Sequence, residues 1–241
     1  MEVRGAPETT RTGGLDRQIY LIGGVAAIVG SLLGLVGNLI HPATPIDDPE
    51  GVARTIAESD AWTAIHLAIV FGIVLMLGGL VALHHSIRGS PGAALSRFGL
   101  AAGIAGIVIG VVLVILDGVA AKVLADQWAI APEEERATAL RIVLANETVN
   151  LALASSFNIV FAGVTFILFG IAVASSGAYQ RLLGWVVVAA GIISVGAGLI
   201  QAIPGEPTTA SRVLTIIGPT VITLWLLTIG FSLLRKARKP T

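Results

Sequence analysis

Long uncharged segments alternate along this chain with short segments that carry most of its charges. One of the uncharged segments lies between Asp60 and Arg88 and contains no Asp, Glu, Lys or Arg. It is longer than the roughly 20 residues that a helix needs to cross the hydrocarbon core of a membrane. Trp62 lies at one end of this segment, where an aromatic ring favours the membrane interface, and His84 and His85 lie at the other. The segment is therefore predicted to be a transmembrane helix, with the two histidines near lipid headgroups.

Five further segments repeat the pattern and predict an all-α polytopic membrane protein, a bundle of six transmembrane helices. The predicted spans are residues 19–40, 62–87, 98–124, 148–174, 182–203 and 213–234. The first is longer than the apolar region of a signal peptide and no small-residue cleavage pattern follows it, so we interpret it as a retained span. Asp117 interrupts the third, whose helix is expected to continue towards Trp128.

The segments outside the spans are predicted from their charges and helix-start residues. Residues 43–60 are expected to form an acidic loop, and Pro132 followed by three glutamates is typical of a helix start. A short outer amphipathic helix is therefore predicted at about 132–146, either separate from the fourth span or continuous with it. A single domain, residues 18–235, is expected between a disordered cytoplasmic tail, 1–17, and a basic cytoplasmic tail, 236–241.

Composition supports a membrane protein and excludes several kinds of chemistry. The chain is 55% hydrophobic and 12% charged, with a mean hydropathy of +0.89, whereas soluble domains are about 25% charged. Its zero net charge gives no indication of a nucleic-acid partner, and its lack of cysteine excludes disulfides, thiolate catalysis and cysteine metal sites. Phosphate-binding, dinucleotide-binding and GxSxG motifs are absent from the sequence. No cofactor is predicted.

The basic residues are distributed unequally between the two ends of the predicted bundle. Ten of the 15 Lys and Arg residues lie in the two tails and in the loops after the second and fourth spans, and five lie on the other side. The positive-inside rule then places both termini in the cytoplasm, with the protein in the cell membrane. The side with fewer basic residues is predicted to face outward.

Glycine pairs spaced four residues apart predict close contacts between helices, because such a spacing puts both glycines on one helix face. The pairs are Gly30 and Gly34, Gly99 and Gly103, and Gly106 and Gly110. Packing within one bundle is the preferred interpretation, and a homodimer interface is the alternative.

Polar residues cluster at the predicted outer ends of the spans. Polar groups at membrane depth are costly, so they are candidates for a functional site. The candidates for a ligand or proton site are Asn38, His41, His66, Asp117, Asn150 and Gln201, and Lys122, Asn146 and Glu147 lie at a similar depth. They predict an outward-facing pocket with a polar rim.

The chemistry of this pocket has several interpretations. His41, His66 and Asp117 are acceptable zinc ligands and, with a bound water, could support hydrolysis, but no HExxH or HxxxH spacing places two ligands on one helix face. There are three alternatives. His41 and His66 could ligate a haem, or His66 and Asp117 could form a proton relay. The polar residues could also form ordinary hydrogen bonds at the membrane interface, with Lys122 snorkelling. Interfacial bonding is the preferred interpretation, and a metal is disfavoured.

Two residues nearer the middle of the bundle could belong to a transport pathway. Transporters place polar groups near the midplane and interrupt a helix there, and Asn158 and Pro219 are the candidates. Pro219 follows Gly218 and is expected to kink the sixth span, which more often serves packing than transport.

The last two spans resemble those of a known family. Residues 179–185, Tyr-Gln-Arg-Leu-Leu-Gly-Trp, and the Leu-Trp-Leu-Leu run at 224–227 before Gly230 and Phe231 resemble the end of a widespread family of small six-helix bacterial membrane proteins classed as a domain of unknown function. The resemblance implies the architecture and a bacterial origin, and it implies no activity.

The sequence thus leaves three functional hypotheses. The preferred one is a non-enzymatic protein in the lipid bilayer that binds a small apolar or amphipathic ligand, or a membrane protein partner, through the outward-facing pocket. The second is a small, proton-coupled transporter. The third is a metal-dependent membrane hydrolase.

Overall fold

Long apolar helices make up most of the protein in a computed structural model that describes residues 8–238, with side chains from residue 13 onward. Within that range the chain is mainly helical and contains no strand. The helices are α1 (Glu8–Ile40), α2 (Pro49–Glu58), α3 (Trp62–Ile87), α4 (Ala93–Ile115), α5 (Ala121–Ile130), α6 (Glu133–Phe157), α7 (Phe166–Ser176), α8 (Arg181–Ala202) and α9 (Thr209–Ala237).

Two π-helical segments join consecutive helices into longer ones. Leu116–Ala120 joins α4 to α5, and Asn158–Thr165 joins α6 to α7. Six helices in the described part of the chain are then long and apolar enough to cross a membrane: α1, α3, α4–α5, α6–α7, α8 and α9. The predicted all-α polytopic fold is confirmed, and the protein is a multi-pass membrane protein.

The ends of the chain differ from the prediction. The first helix begins at Glu8, so residues 8–17, expected to be disordered, are helical; residues 1–7 of that tail lie outside the described residues. A helix nucleated by an apolar span extends into polar residues at little cost, because each added residue adds one backbone hydrogen bond. The basic tail is helical to Ala237, and residues 239–241 lie outside the described residues.

The acidic segment expected to be a loop contains helix α2. Asp48 caps it by accepting a hydrogen bond from the Gly51 backbone N–H at 2.9 Å, and Pro49 occupies its first turn. Its buried Ile56 packs with Trp62 of α3 and with two alanines of α5. The helix predicted at about 132–146 is the first part of α6, which continues without a break into the fourth span.

The six spans are arranged around a common centre in sequence order. Each span contacts the next one along the chain, and α1 also contacts α9, which closes the ring. At one end of the bundle the centre is filled by large buried side chains, among them Leu80, Phe166, Phe169, Trp225 and Leu226. We call the opposite end, which carries α2, the α2 end, and there the centre is open.

The predicted glycine pairs lie at helix contacts inside the bundle. A Cβ on Gly30 would lie 2.6 Å from the Gly72 carbonyl oxygen of α3, and one on Gly106 would lie 2.6 Å from the Cβ of Phe161. A Cβ at Gly99 would meet the Phe169 ring at 2.9 Å. These glycines allow neighbouring helices to approach closely, which is the packing role preferred from the sequence.

Candidate functional site

A cavity of about 360 Å³ occupies the open centre at the α2 end. We call it the central cavity. Five of the six spans line it, and α8 does not. Its walls are mainly apolar, with Ile69, Ile73, Met76, Leu113, Val114, Leu151, Ala154, Phe157, Phe161, Ala162 and Ile222. Its volume lies within the range of small-molecule pockets, about 300–1,000 Å³.

Three residues predicted as site candidates meet at one end of this cavity. The Nε2 atom of His66 lies 3.1 Å from Nε2 of His41 and 3.1 Å from Oδ2 of Asp117. One ligand atom from each residue lies within 4.8 Å of the others. We call His41, His66 and Asp117 the His–His–Asp triad. His41 directly follows α1, His66 lies on α3 and Asp117 lies in the π-helical turn after α4, so the triad forms only when the bundle assembles.

Backbone carbonyls fix the tautomer of both imidazoles. Nδ1 of His66 lies 2.7 Å from the Trp62 carbonyl oxygen, and Nδ1 of His41 lies 2.9 Å from the Pro42 carbonyl oxygen. A carbonyl oxygen only accepts hydrogen bonds, so both Nδ1 atoms carry the proton. In the neutral rings both Nε2 atoms therefore present lone pairs to each other.

The π-helical turn places Asp117 beside His66. The Trp62 indole donates from Nε1 to the Asp117 carbonyl oxygen at 2.7 Å, and the Thr63 hydroxyl donates to the Gly118 carbonyl oxygen at 2.8 Å. A Cβ on Gly118 would overlap the Cβ of His66, so only glycine lets α3 pack this closely. π-Helical turns occur frequently at functional sites.

Trp62 also packs against both imidazole rings. Its ring centroid lies 4.8 Å from that of His41 and 4.9 Å from that of His66. Because Trp62 is only 1% exposed, it has little freedom to move. The buried Trp62 indole therefore restricts the positions of both imidazole rings.

Burial differs across the triad. His66 is 3% exposed, whereas the Asp117 side chain is 29% exposed.

Glu147 and Asn150 of α6 add polar groups to the cavity wall. Asn150 is 5% exposed and donates from Nδ2 to Oε1 of Glu147 at 3.3 Å. Its Oδ1 atom has no hydrogen-bond partner among the described residues. A buried amide oxygen without a partner is unusual and is available to a bound ligand.

The remaining candidates take part less directly. Asn38 lines the cavity, but its amide donates to the Gly34 carbonyl oxygen of its own helix at 2.7 Å. Gln201 is not among the described residues that line the cavity, and its amide donates to the Leu151 carbonyl oxygen at 3.0 Å. Lys122 is not among the described residues that line the cavity, and its ammonium group donates to Asp126 and to the Ala57 carbonyl oxygen of α2.

Asn158 and Pro219 line the part of the cavity away from the triad. Asn158 is 3% exposed and donates to the Thr215 hydroxyl at 3.2 Å.

Glu147 was noted from the sequence only for its depth and was not a site candidate. Glu147 lies three residues before Asn150 and therefore on the same helix face, and this spacing could have identified it as a site candidate.

The histidines at the other end of α3 form hydrogen bonds with neighbouring helices. His84 contacts the Ser96 hydroxyl at 2.7 Å, and His85 contacts Asp16 at 2.7 Å. Arg88 also pairs with Asp16. Asp16 lies on α1 and Ser96 lies on α4, so these hydrogen bonds connect α3 to both helices.

Comparisons with protein-family models, with curated proteins and with solved structures found no match for this chain. The function is therefore inferred from the geometry of the central cavity and its triad.

Proposed function

We propose that this protein binds a small amphipathic ligand in the central cavity. The observation that carries the proposal is the division of the cavity into a long apolar wall and a polar end formed by the triad, Glu147 and Asn150. An apolar body packed on the wall would gain about 25 cal/mol for each Å² removed from water. The polar group of the ligand would meet the hydrogen-bonding groups at the α2 end.

We further propose that the protein lies in a cell membrane with both termini in the cytoplasm and the cavity towards the outside. The ten basic residues on the terminal side, against five on the α2 side, support this orientation. The resemblance of residues 179–185 and 224–231 supports membership of the bacterial six-helix family.

Transport is a second candidate because of two features of the cavity wall. Helix α9 continues through Pro219, which removes one of its backbone hydrogen bonds, and a π-helical segment of the fourth span begins at Asn158. Transporters commonly depart from regular α-helical hydrogen bonding beside the binding site. Flux in proteoliposomes that is lost in Asp117→Asn would support transport, and equal flux with protein-free liposomes would exclude it for the solute tested.

The binding proposal is tested by filling the cavity without changing its polar end. Ala154 lines the cavity, whereas Ala152 on the same helix is exposed on the outside of the bundle. Ala154→Phe should occupy the space of the ligand, and Ala152→Phe is the matched control. The probe is an amphiphile with a photoactivatable diazirine in its acyl chain, competed with the unlabelled amphiphile.

Saturable labelling of peptides that contain Leu113 or Phe157 is expected in the parent protein and in Ala152→Phe. Labelling should be strongly reduced in Ala154→Phe. Labelling that is confined to exposed residues, or that is equal in the two variants, would contradict the proposal.

A further inference from the structure

We infer that the His–His–Asp triad binds one divalent transition-metal cation of the zinc class. The triad offers two imidazole nitrogens and one carboxylate oxygen, all within 4.8 Å of one another. Two donors bound to zinc at 2.0–2.1 Å in a tetrahedral site lie about 3.3 Å apart. The observed separations of 3.1 Å from His66 Nε2 to His41 Nε2 and to Asp117 Oδ2 are close to that value.

The fixed tautomers are the main reason to place a cation here. His41 and His66 both use their Nδ1 protons on backbone carbonyls, so their neutral rings direct two Nε2 lone pairs at each other. The Asp117 carboxylate adds a third acceptor. The Nε2 lone pair of His66 thus faces two other acceptors at 3.1 Å, and such acceptors repel one another unless a cation lies between them. An Nδ1–H bonded to a carbonyl is the usual second-shell arrangement of a metal-bound histidine.

Charge around the triad favours a cation as well. Among the described residues that line the central cavity, no Lys or Arg is present to balance the Asp117 carboxylate. A largely apolar cavity screens a negative charge on Asp117 less than water does. Lys122, the basic residue nearest in sequence, is held by Asp126 and the Ala57 carbonyl.

The donor set selects the class of metal. Imidazole nitrogen suits zinc, copper, iron and nickel, whereas magnesium and calcium prefer sites built from oxygen alone. Two nitrogens and one oxygen resemble the three-ligand sites that leave a fourth position for water or a ligand. All three residues line the central cavity, so the fourth position faces it and could take a carboxylate or carbonyl group.

The cation site does not require an amphipathic ligand, and the two proposals can fail separately. Ala154→Phe should fill the cavity while leaving every metal ligand in place. His66→Ala removes a metal ligand and fills nothing. Cation binding is measured without any added amphiphile.

The test is a Co²⁺ titration of the chelator-treated, full-length protein in detergent, followed by displacement with Zn²⁺. Co²⁺ is chosen because its visible absorption reports tetrahedral coordination. One Co²⁺ per chain is expected in the parent protein, with displacement by Zn²⁺. His66→Ala and Asp117→Asn should lose this stoichiometric binding.

His84→Ala is the matched control because His84 lies on the same helix but bonds Ser96 at the other end of the bundle. It should bind Co²⁺ as the parent does. Circular dichroism and gel filtration establish whether each variant is folded. If His66→Ala does not fold, Asp117→Asn provides the test, because it keeps the size of the side chain. Absence of stoichiometric binding in the parent, or equal binding in folded Asp117→Asn, would overturn the proposal and indicate that a shared proton separates the acceptors.

Discussion

Trp62 is the residue on which the geometry of the triad depends most. It packs against both imidazoles, donates its N–H to the Asp117 carbonyl and accepts the His66 Nδ1–H on its own carbonyl oxygen. Such partners of metal ligands typically affect affinity by about 10- to 100-fold. The sequence identified Trp62 only as an interfacial residue, because its contacts to α1 and to the π-helical turn arise in the folded bundle.

Trp62→Phe should keep most of the ring packing and remove the indole N–H. We expect a loss of stability of about 1 kcal/mol from the missing hydrogen bond and Co²⁺ binding weakened by about 10- to 100-fold. Trp225→Phe is the control, because it removes an equivalent bond to the Leu183 carbonyl away from the triad. Equal effects of the two variants on Co²⁺ affinity would argue against a positioning role for Trp62.

Tyr179 offers a pH-dependent prediction that is independent of the site. Burial raises the pKa of Tyr179 to about 12, although its hydrogen bond to Ser86 opposes the shift. The folded state therefore binds this proton more tightly than the unfolded state, whose tyrosine titrates near 10. Stability contributed by neutral Tyr179 is complete below about pH 10 and is lost as the pH rises towards 12.

The measurement is phenolate absorbance of the folded and the denatured protein near pH 11. We expect less phenolate in the folded protein, and a flatter fall of stability with pH in Tyr179→Phe. Tyr20 is the other tyrosine of the chain, so Tyr20→Phe serves to assign the signal. Identical titration of folded and denatured Tyr20→Phe would show that Tyr179 is not buried as described.

At the scale of helices, the prediction was accurate where charge and hydropathy decide the structure. The observed α3 has the predicted bounds, 62–87, because charged residues flank an unbroken apolar run. The short α2 was missed because its ten residues are only moderately apolar and its stability comes from Asp48 and from packing on Trp62. The π-helical segments were missed because the same residues also suit an α-helix.

The sequence predicted the depth of the candidate residues in the membrane, but not which of them contact one another. The structure has His41 directly after α1, His66 in the second turn of α3 and Asp117 in the π-helical turn before α5. Their convergence depends on helix rotation, on the extra residue of the π-helical turn and on the close approach at Gly118. None of these is visible in a periodic pattern, which is why Gln201 was grouped with residues whose cavity it does not line.

Gly106→Leu should destabilise the bundle by separating α4 from the fourth span. Its first side-chain carbon would lie 2.6 Å from the Cβ and 2.7 Å from the Cα of Phe161, and overpacking of this kind typically costs about 1–3 kcal/mol. Gly196→Leu is the control, because nothing lies within 4 Å of a Cβ there. Thermal unfolding followed by gel filtration makes the comparison, and equal melting of both variants would contradict the described packing.

For the whole molecule, orientation is tested with single cysteines because the chain has none of its own. Gly89 and Glu206 are exposed at opposite ends of the bundle. In intact cells a membrane-impermeant maleimide should label Glu206→Cys, and it should label Gly89→Cys only after permeabilisation. The reverse pattern would place the central cavity on the cytoplasmic side and leave its geometry unchanged.

The closed ring of spans gives every span a neighbour on both sides, including the first and the last. Since α1 contacts α9 and every other span contacts its neighbour in sequence, each helix would keep both partners if the two ends were joined and the chain were cut elsewhere. The turn at Gly177 lies at the same end of the bundle as the start of α1 and the end of α9, so a circular permutant opened there would insert the same number of spans with the same sidedness.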